Sequence, residues 1–249
     1  MSLTVTLFAG WVVAALVMTV LWLLRRSREG HTRVASVAWT VATGLLGIGF
    51  ASVAEGYAPR RFVVAVMAAI WAGRLGVHVL DRRRHEPEDG RSRSRRLFVF
   101  FQLQAIWAVT FAAPMLAAAT SMRMGFNRLD SLGVLCWLVA LAGESAADRQ
   151  LARFKADPAN RGRVCREGLW RYSRHPNYFF EWIHWWAYVF LAVGSPHWWL
   201  APFGVVAMLV FLTLVSGIPR SEAQALKSRG AGYREYQRTT SAFLPWFPG

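Results

Sequence analysis

Cysteine is scarce, acids are few and no glycine-rich nucleotide loop is present, and each shortage narrows what the chain can be. The two cysteines, Cys136 and Cys165, show neither a CxxC nor a metal-ligand spacing, so no zinc or redox centre is signalled. One lies in an apolar run and the other in a basic loop, so a structural disulfide between them is not expected. Neither GxGxxG nor GxxxxGK occurs, which leaves no mark of a soluble nucleotide-binding fold. Asp and Glu number 14 against 29 Lys and Arg, for a formal charge of +15. In a soluble protein such an excess points to nucleic acid. Here the arginines form short clusters between long stretches almost free of charge, which is the pattern of membrane topology, and no nucleic-acid partner is expected. No basic n-region precedes the first apolar run and no small-residue cleavage site follows it, so it reads as a retained span.

What the chain does have is apolar length. More than half of it, 55%, is hydrophobic, and 13 residues are Trp. Crossing a hydrocarbon core of roughly 30 Å takes about 20 apolar residues in helical form. Seven segments qualify or nearly do: 3–24, 34–54, 62–80, 97–119, 129–147, 177–193 and 200–218. Backbone groups in lipid must pair within their own segment, so helices are expected and strands are not. The fold class predicted is therefore an all-α membrane bundle of about seven transmembrane helices, forming one domain over 1–249 with no internal repeat. The first, third and fifth connections and the tail hold nearly all the Lys and Arg; the others hold Arg60, Arg61, Arg123 and Arg128. That asymmetry predicts an outward N-terminus, a cytoplasmic C-terminus, and, for a bacterial chain, the inner membrane. Trp198, Trp199 and Trp246 fit interfacial anchors.

Polar residues inside the spans are the candidates for function. Arg74, His78 and Arg82 recur at i, i+4 and i+8 on the third span, one turn beyond Trp71. Snorkelling to the interface is the plain alternative for Arg82 and His78. Glu144, Asp148 and Lys155 share one face at the end of the fifth span. The segment Gly168-Leu-Trp-Arg-Tyr-Ser-Arg-His-Pro-Asn-Tyr-Phe-Phe-Glu181 is the most informative. Pro176 starts a helix on which Asn177, Glu181, His184 and Tyr188 recur as a polar stripe. This stripe is either a site or a hydrogen-bonded packing contact. The free N–H groups of that helix start, beside Arg174 and His175, suit an anion. The tail around Lys227, Arg229, Tyr233, Arg234 and Tyr236 reads as an amphipathic surface helix broken at Gly230 and Gly232.

Taken as an ordered set, Asp148-Arg-Gln-Leu-Ala-Arg-Phe-Lys155, Gly168-Leu-Trp, Arg174-His-Pro-Asn-Tyr178 with Glu181, and Gly232-Tyr-Arg-Glu-Tyr236 before Leu244-Pro resemble the C-terminal domain of the steroid 5α-reductase family. The likeness spans 144–248 and is nearest to the bacterial membrane branch of that superfamily; the N-terminal half matches only in its span pattern. The resemblance implies a seven-helix membrane reductase that uses NADPH to reduce a carbon–carbon double bond conjugated to a carbonyl in a lipidic substrate. It implies a cofactor held on the cytoplasmic side: Asp148 at the adenosine, Lys155 and Arg163 at phosphates, Arg174 and His175 at the helix start, Asn177 and Glu181 near the nicotinamide, and Tyr236 in the C-terminal wall. Arg82 matches loosely a third-span position that also reaches the cofactor.

The chain departs from the family in its first half. The steroid enzymes carry a Gln-Glu pair on the second span and a Tyr on the third to polarise the carbonyl. Here the second span is apolar until Glu55, and Trp71 stands near the Tyr position. The expected catalytic replacement is His184, with Tyr57 behind it. Isoprenylcysteine carboxyl and phospholipid methyltransferases share the Arg-His-Pro-x-Tyr signature and the Tyr-x-x-Tyr tail, so an S-adenosylmethionine-dependent membrane methyltransferase is the alternative. Those enzymes usually show a Gly soon after the Tyr and paired acids before the tail, where this chain has Phe179 and Phe180 and a single Glu222. A non-enzymatic lipid-binding or transport protein is the third possibility, though no matched pair of broken helices marks an inverted repeat.

Overall fold

The computed structural model describes residues 2–25, 31–84 and 95–249; the side chains of 25, 31–33 and 81–84 fall outside that description. The chain forms α1 (Leu3–Arg25), α2 (His31–Val53), α3 (Ala58–Arg84), α4 (Arg95–Ala119), α5 (Arg128–Ala156), α6 (Pro176–Ala192), α7 (Leu200–Val210) and α8 (Gly217–Thr239). Short 3₁₀ turns lie at Pro158–Asn160 and Gly168–Arg171, and there is no strand among the described residues.

Six described helical runs are long and apolar enough to cross a membrane. Their outward surfaces carry Phe8, Leu16, Phe62, Val77, Leu135 and Leu214, all more than half exposed. Apolar area on that scale is a liability in water and the normal outer face of a protein in lipid. The architecture is that of a multi-pass membrane protein. The segment expected as the sixth span, 177–193, forms a helix of the same length shifted by one residue. Pro176 fixes its start, and at 17 residues it rises about 26 Å, less than the roughly 30 Å of a typical hydrocarbon core. Conversely, α5 outruns its apolar part: its 29 residues carry Asp148 and Lys155 on about two further turns of the same helix.

The chain divides into two compact units: Met1–Asn127 with Leu191–Gly204, and Arg128–Phe190 with Val205–Gly249. In the first, α2 packs on both α3 and α4, and α1 packs on α4. The buried face of α4 is largely alanine, from Ala105 and Ala108 through Ala117, Ala118 and Ala119. Small residues let helix backbones approach where no hydrophobic drive from water exists. Arg60 is wholly buried, yet its guanidinium donates to the carbonyls of Ser121, Arg123 and Gly125 at 2.9–3.1 Å. Arg61 donates to the carbonyls of Ala51 and Ser52 at the end of α2. A helix leaves its last carbonyls without intrahelical donors, and a cation there satisfies both the lone pairs and the dipole.

In the second unit α5 and α6 come unusually close. A Cβ on Gly143 would sit 2.4 Å from the Phe180 ring, so only glycine fits against it. Trp182 Nε1 donates to the carbonyl of Val205, tying α6 to α7. The helical run then widens into one π turn at Phe211–Val215. Pro219 follows; it lacks an N–H and crowds the carbonyl four residues back, so the turn before it cannot close normally. The polar helix α8 kinks at Gly230 (φ 50°, ψ −120°), the break expected from the sequence.

Candidate functional site

The second unit gathers the polar residues that the sequence singled out. Its frame is the loop between the 3₁₀ turn at 168–171 and α6. Trp170 Nε1 donates to the carbonyl of Ala147 on α5, and the Leu169 N–H donates to Gln150 Oε1. Ser173 Oγ accepts from the His175 N–H and donates to the carbonyl of Phe243. The Arg174 N–H donates to the carbonyl of Ser241, and the Trp246 N–H to that of Tyr172. The loop is thus stitched to α5 on one side and to the tail on the other.

At its centre lies Glu222. Arg174 grips the carboxylate with Nε and Nη2, each 2.8 Å away, and uses Nη1 on the carbonyls of Gln237 and Thr240. Gln237 Nε2 donates to the second carboxylate oxygen at 2.8 Å, and His175 Nε2 and the Tyr233 hydroxyl approach the first at 3.4 and 3.5 Å. Burial alone would raise this carboxyl, but the hydrogen bonds from His175, Arg174 and Gln237 and the Arg174 charge outweigh it and hold the group down at about 2. Glu222 is therefore ionised throughout the neutral range, and the arginine is spent inside the protein. Burial pushes the Tyr233 phenol up to about 12 and that of Tyr236 higher still. The Tyr236 hydroxyl donates to the carbonyls of Trp170 and Ser173, while Arg166 lies over its ring at 5.6 Å.

Where α5 meets α6, Asn177 Nδ2 donates to Asp148 Oδ1 at 3.2 Å. Glu144 and Glu181 are both buried on these helices, as are His184 and Tyr188. All four members of the α6 stripe thus face protein to some degree, with Asn177 half-buried. The His175 ring stacks on that of Tyr178 at 5.3 Å. At the start of α6, Pro176 has no N–H, the Tyr178 N–H donates to Asn177 Oδ1 and the Phe179 N–H to the carbonyl of His175. The turn expected to receive an anion therefore offers it little more than the Asn177 N–H.

The phosphate candidates lie further out. Lys155 and Arg163 are exposed, Lys155 on the last turn of α5 and Arg163 beyond the turn at Pro158–Asn160, with Nη1 3.4 Å from Asn160 Oδ1. Arg149, Arg153 and Arg161 add exposed cations nearby in sequence. The remaining two candidates belong to the first unit. Tyr57 precedes α3, with the Arg60 guanidinium 5.7 Å from its ring centroid. Arg82 is on α3, and its side chain lies outside the described residues, as does the basic run 85–94. Arg74 and His78 are half-buried on α3. No group of three or more His, Cys, Asp or Glu able to hold a metal occurs among the described residues.

Glu222 and Gln237 were not singled out from sequence. Both sit on α8, but the kink at Gly230 between them breaks the helical register, so no periodicity announces that they share a partner. The polarity of the pair was visible; its geometry was not.

The profile of a family described as "Protein of unknown function (DUF1295)" matches residues 21–240. The chain belongs to the DUF1295 family. The match covers nearly all of both units, so the stitched loop, the Glu222 cluster and the Asn177–Asp148 pair all fall within the family's extent. A search of curated proteins gave no match.

Proposed function

We propose that this DUF1295 protein is a membrane reductase of the steroid 5α-reductase type, using NADPH to reduce a carbon–carbon double bond next to a carbonyl in a lipidic substrate, with its nucleotide site on the cytoplasmic face. The observation that carries the reading is the Asn177–Asp148 hydrogen bond beside the buried Glu181. It draws together, at the meeting of α5 and α6, residues from two motifs that the resemblance assigns to one cofactor. The donor set fits that cofactor. An amide and carboxylates suit a carboxamide and ribose hydroxyls, while Lys155 and Arg163 suit phosphates.

The Asn177–Asp148 hydrogen bond supports placing both residues at the nicotinamide end of the ligand, in place of the adenosine role that the resemblance implies for Asp148. Lys155, seven residues further along α5, stands about 10 Å away along the helix axis, a fitting separation for the phosphate-bearing portion. Arg174 acts as a positioning residue: held by Glu222 and two tail carbonyls, it fixes the loop that leads into Asn177. NADPH, when bound, supplies the hydride. The protein's part is to hold the ring, exclude water and place a proton donor at the substrate oxygen, for which buried His184 on the same stripe is the candidate.

The protein, purified in mild detergent, is expected to carry NADP(H) detectable by mass spectrometry of the denatured extract, and to oxidise NADPH in the presence of a lipidic enone. Recovery of S-adenosylmethionine or its demethylated product instead would overturn the reading. That second reading has a specific support. The Glu222 cluster joins Arg174, His175 and Tyr233, which are the segments the chain shares with the membrane methyltransferases.

A further inference from the structure

Deeper along α6 the structure holds two hydrogen-bond donors that the proposed cofactor site does not use. Tyr188 is fully buried and Trp137, on α5, nearly so, and neither the Tyr188 hydroxyl nor Trp137 Nε1 has a partner among the described residues. Both flank the same imidazole: the His184 ring is 6.1 Å from Trp137 and 5.5 Å from Tyr188, centroid to centroid. Trp185 closes the cluster at 5.4 Å from His184 and 5.8 Å from Tyr188. A buried polar group without a partner is rare and costly, and more so within a membrane span. Two of them on rings packed against one histidine point to a place that receives an acceptor.

We infer that Trp137 and Tyr188 bind the oxygen of an uncharged carbonyl on an otherwise apolar ligand, beside His184. The indole offers a donor only, and the phenol offers one as well, so the ligand atom must accept. An anion is costly to bury inside a membrane span, which favours a neutral ketone or aldehyde over a carboxylate or phosphate. The neighbouring side chains are the aromatic rings of Trp137, Trp185 and Tyr188, which suits a hydrocarbon body next to the carbonyl. The inference depends on the reductase reading only for the choice of a conjugated ketone as the probe.

The test compares two tritiated probes by equilibrium dialysis against the detergent-purified full chain without nucleotide: 4-decylcyclohex-2-enone, and 4-decylcyclohexene, which lacks the carbonyl. The wild-type protein is expected to prefer the ketone by about tenfold or more, since a site built to hydrogen-bond an oxygen rejects the analogue without it. Tyr188→Phe and Trp137→Phe each should cut that preference by about threefold to tenfold while leaving the hydrocarbon probe unchanged. Tyr188→Phe should not melt below the wild type, because it removes only a hydroxyl that had no partner. Trp137→Phe also shrinks a buried ring and is expected to melt lower, so it is read by its ketone preference alone. Equal binding of the two probes by the wild type, or a preference that survives in both variants, overturns the inference. A parallel NADPH titration separates the two claims. A ketone preference that depends on Tyr188 in a protein blind to NADPH upholds the carbonyl site and sinks the cofactor reading; NADPH binding without any ketone preference does the reverse.

Discussion

The two units spend their charged side chains differently. In the first, Arg60 and Arg61 turn inward and satisfy backbone carbonyls at helix ends, and α4 packs through alanines. In the second, charged and polar side chains meet each other: Arg174, His175, Gln237 and Tyr233 surround Glu222, and Asn177 meets Asp148. Backbone carbonyls are present in every sequence, so a cation placed on them specifies shape and little else. Side-chain pairs that hold a loop between two helices specify the position of particular functional atoms. The proposed site is accordingly placed in the second unit.

The contrast can be broken most forcefully at Glu222. Glu222→Ala leaves Arg174 and His175, both largely buried, without their acid. Breaking such a pair costs about 3–5 kcal/mol, and the thermal midpoint in detergent should fall accordingly. The same carboxylate sets a pH dependence. Its value near 2 in the fold lies below the ordinary 4.5, so its contribution is whole above the unfolded value and is lost as pH falls from 4.5 toward 2. Melting should be nearly insensitive to this group above about pH 5 and should decline below it, and Glu222→Gln should flatten that decline. In the first unit, Arg60→Ala strips three carbonyls of their donor and should cost about 2–4 kcal/mol. It should do so without altering nucleotide affinity once the protein is folded. An Arg60→Ala protein that folds well but loses NADPH would erase the division of labour.

Gly143→Ala probes the α5–α6 contact that brings Asp148 to Asn177. The added methyl would collide with the Phe180 ring, and such overpacking costs about 1–3 kcal/mol. Asn177→Ala should weaken NADPH by about tenfold, near 1.4 kcal/mol, with little loss of stability, because Asn177 is only half-buried. A dissociation constant unchanged in Asn177→Ala would remove the nicotinamide assignment.

Much of the scaffold was legible in the sequence because hydrocarbon is an unforgiving solvent. Long uncharged runs, the Pro176 helix start and the Gly230 break each follow from a local rule that no distant residue overrides. The extent of α6 was legible too, because Pro176 opens it and the left-handed Gly194 follows just after its end at Ala192. The site was legible only where its members share one element: Glu144 with Asp148, and Asn177 with Glu181, His184 and Tyr188. Arg60 looked like a loop cation and proved to be fully buried, since its carbonyl partners lie more than sixty residues away. Glu222 looked solitary for the same reason. Pairings across distant segments leave no periodic trace in one sequence.

The most direct test of the central claim is a calorimetric titration of the detergent-purified protein with NADPH, NADH and S-adenosylmethionine, repeated on Asn177→Ala. The account predicts heat from NADPH, none from S-adenosylmethionine, and an affinity about tenfold weaker in the variant. Saturable binding of S-adenosylmethionine with no response to NADPH would contradict it and assign the second unit to methyl transfer.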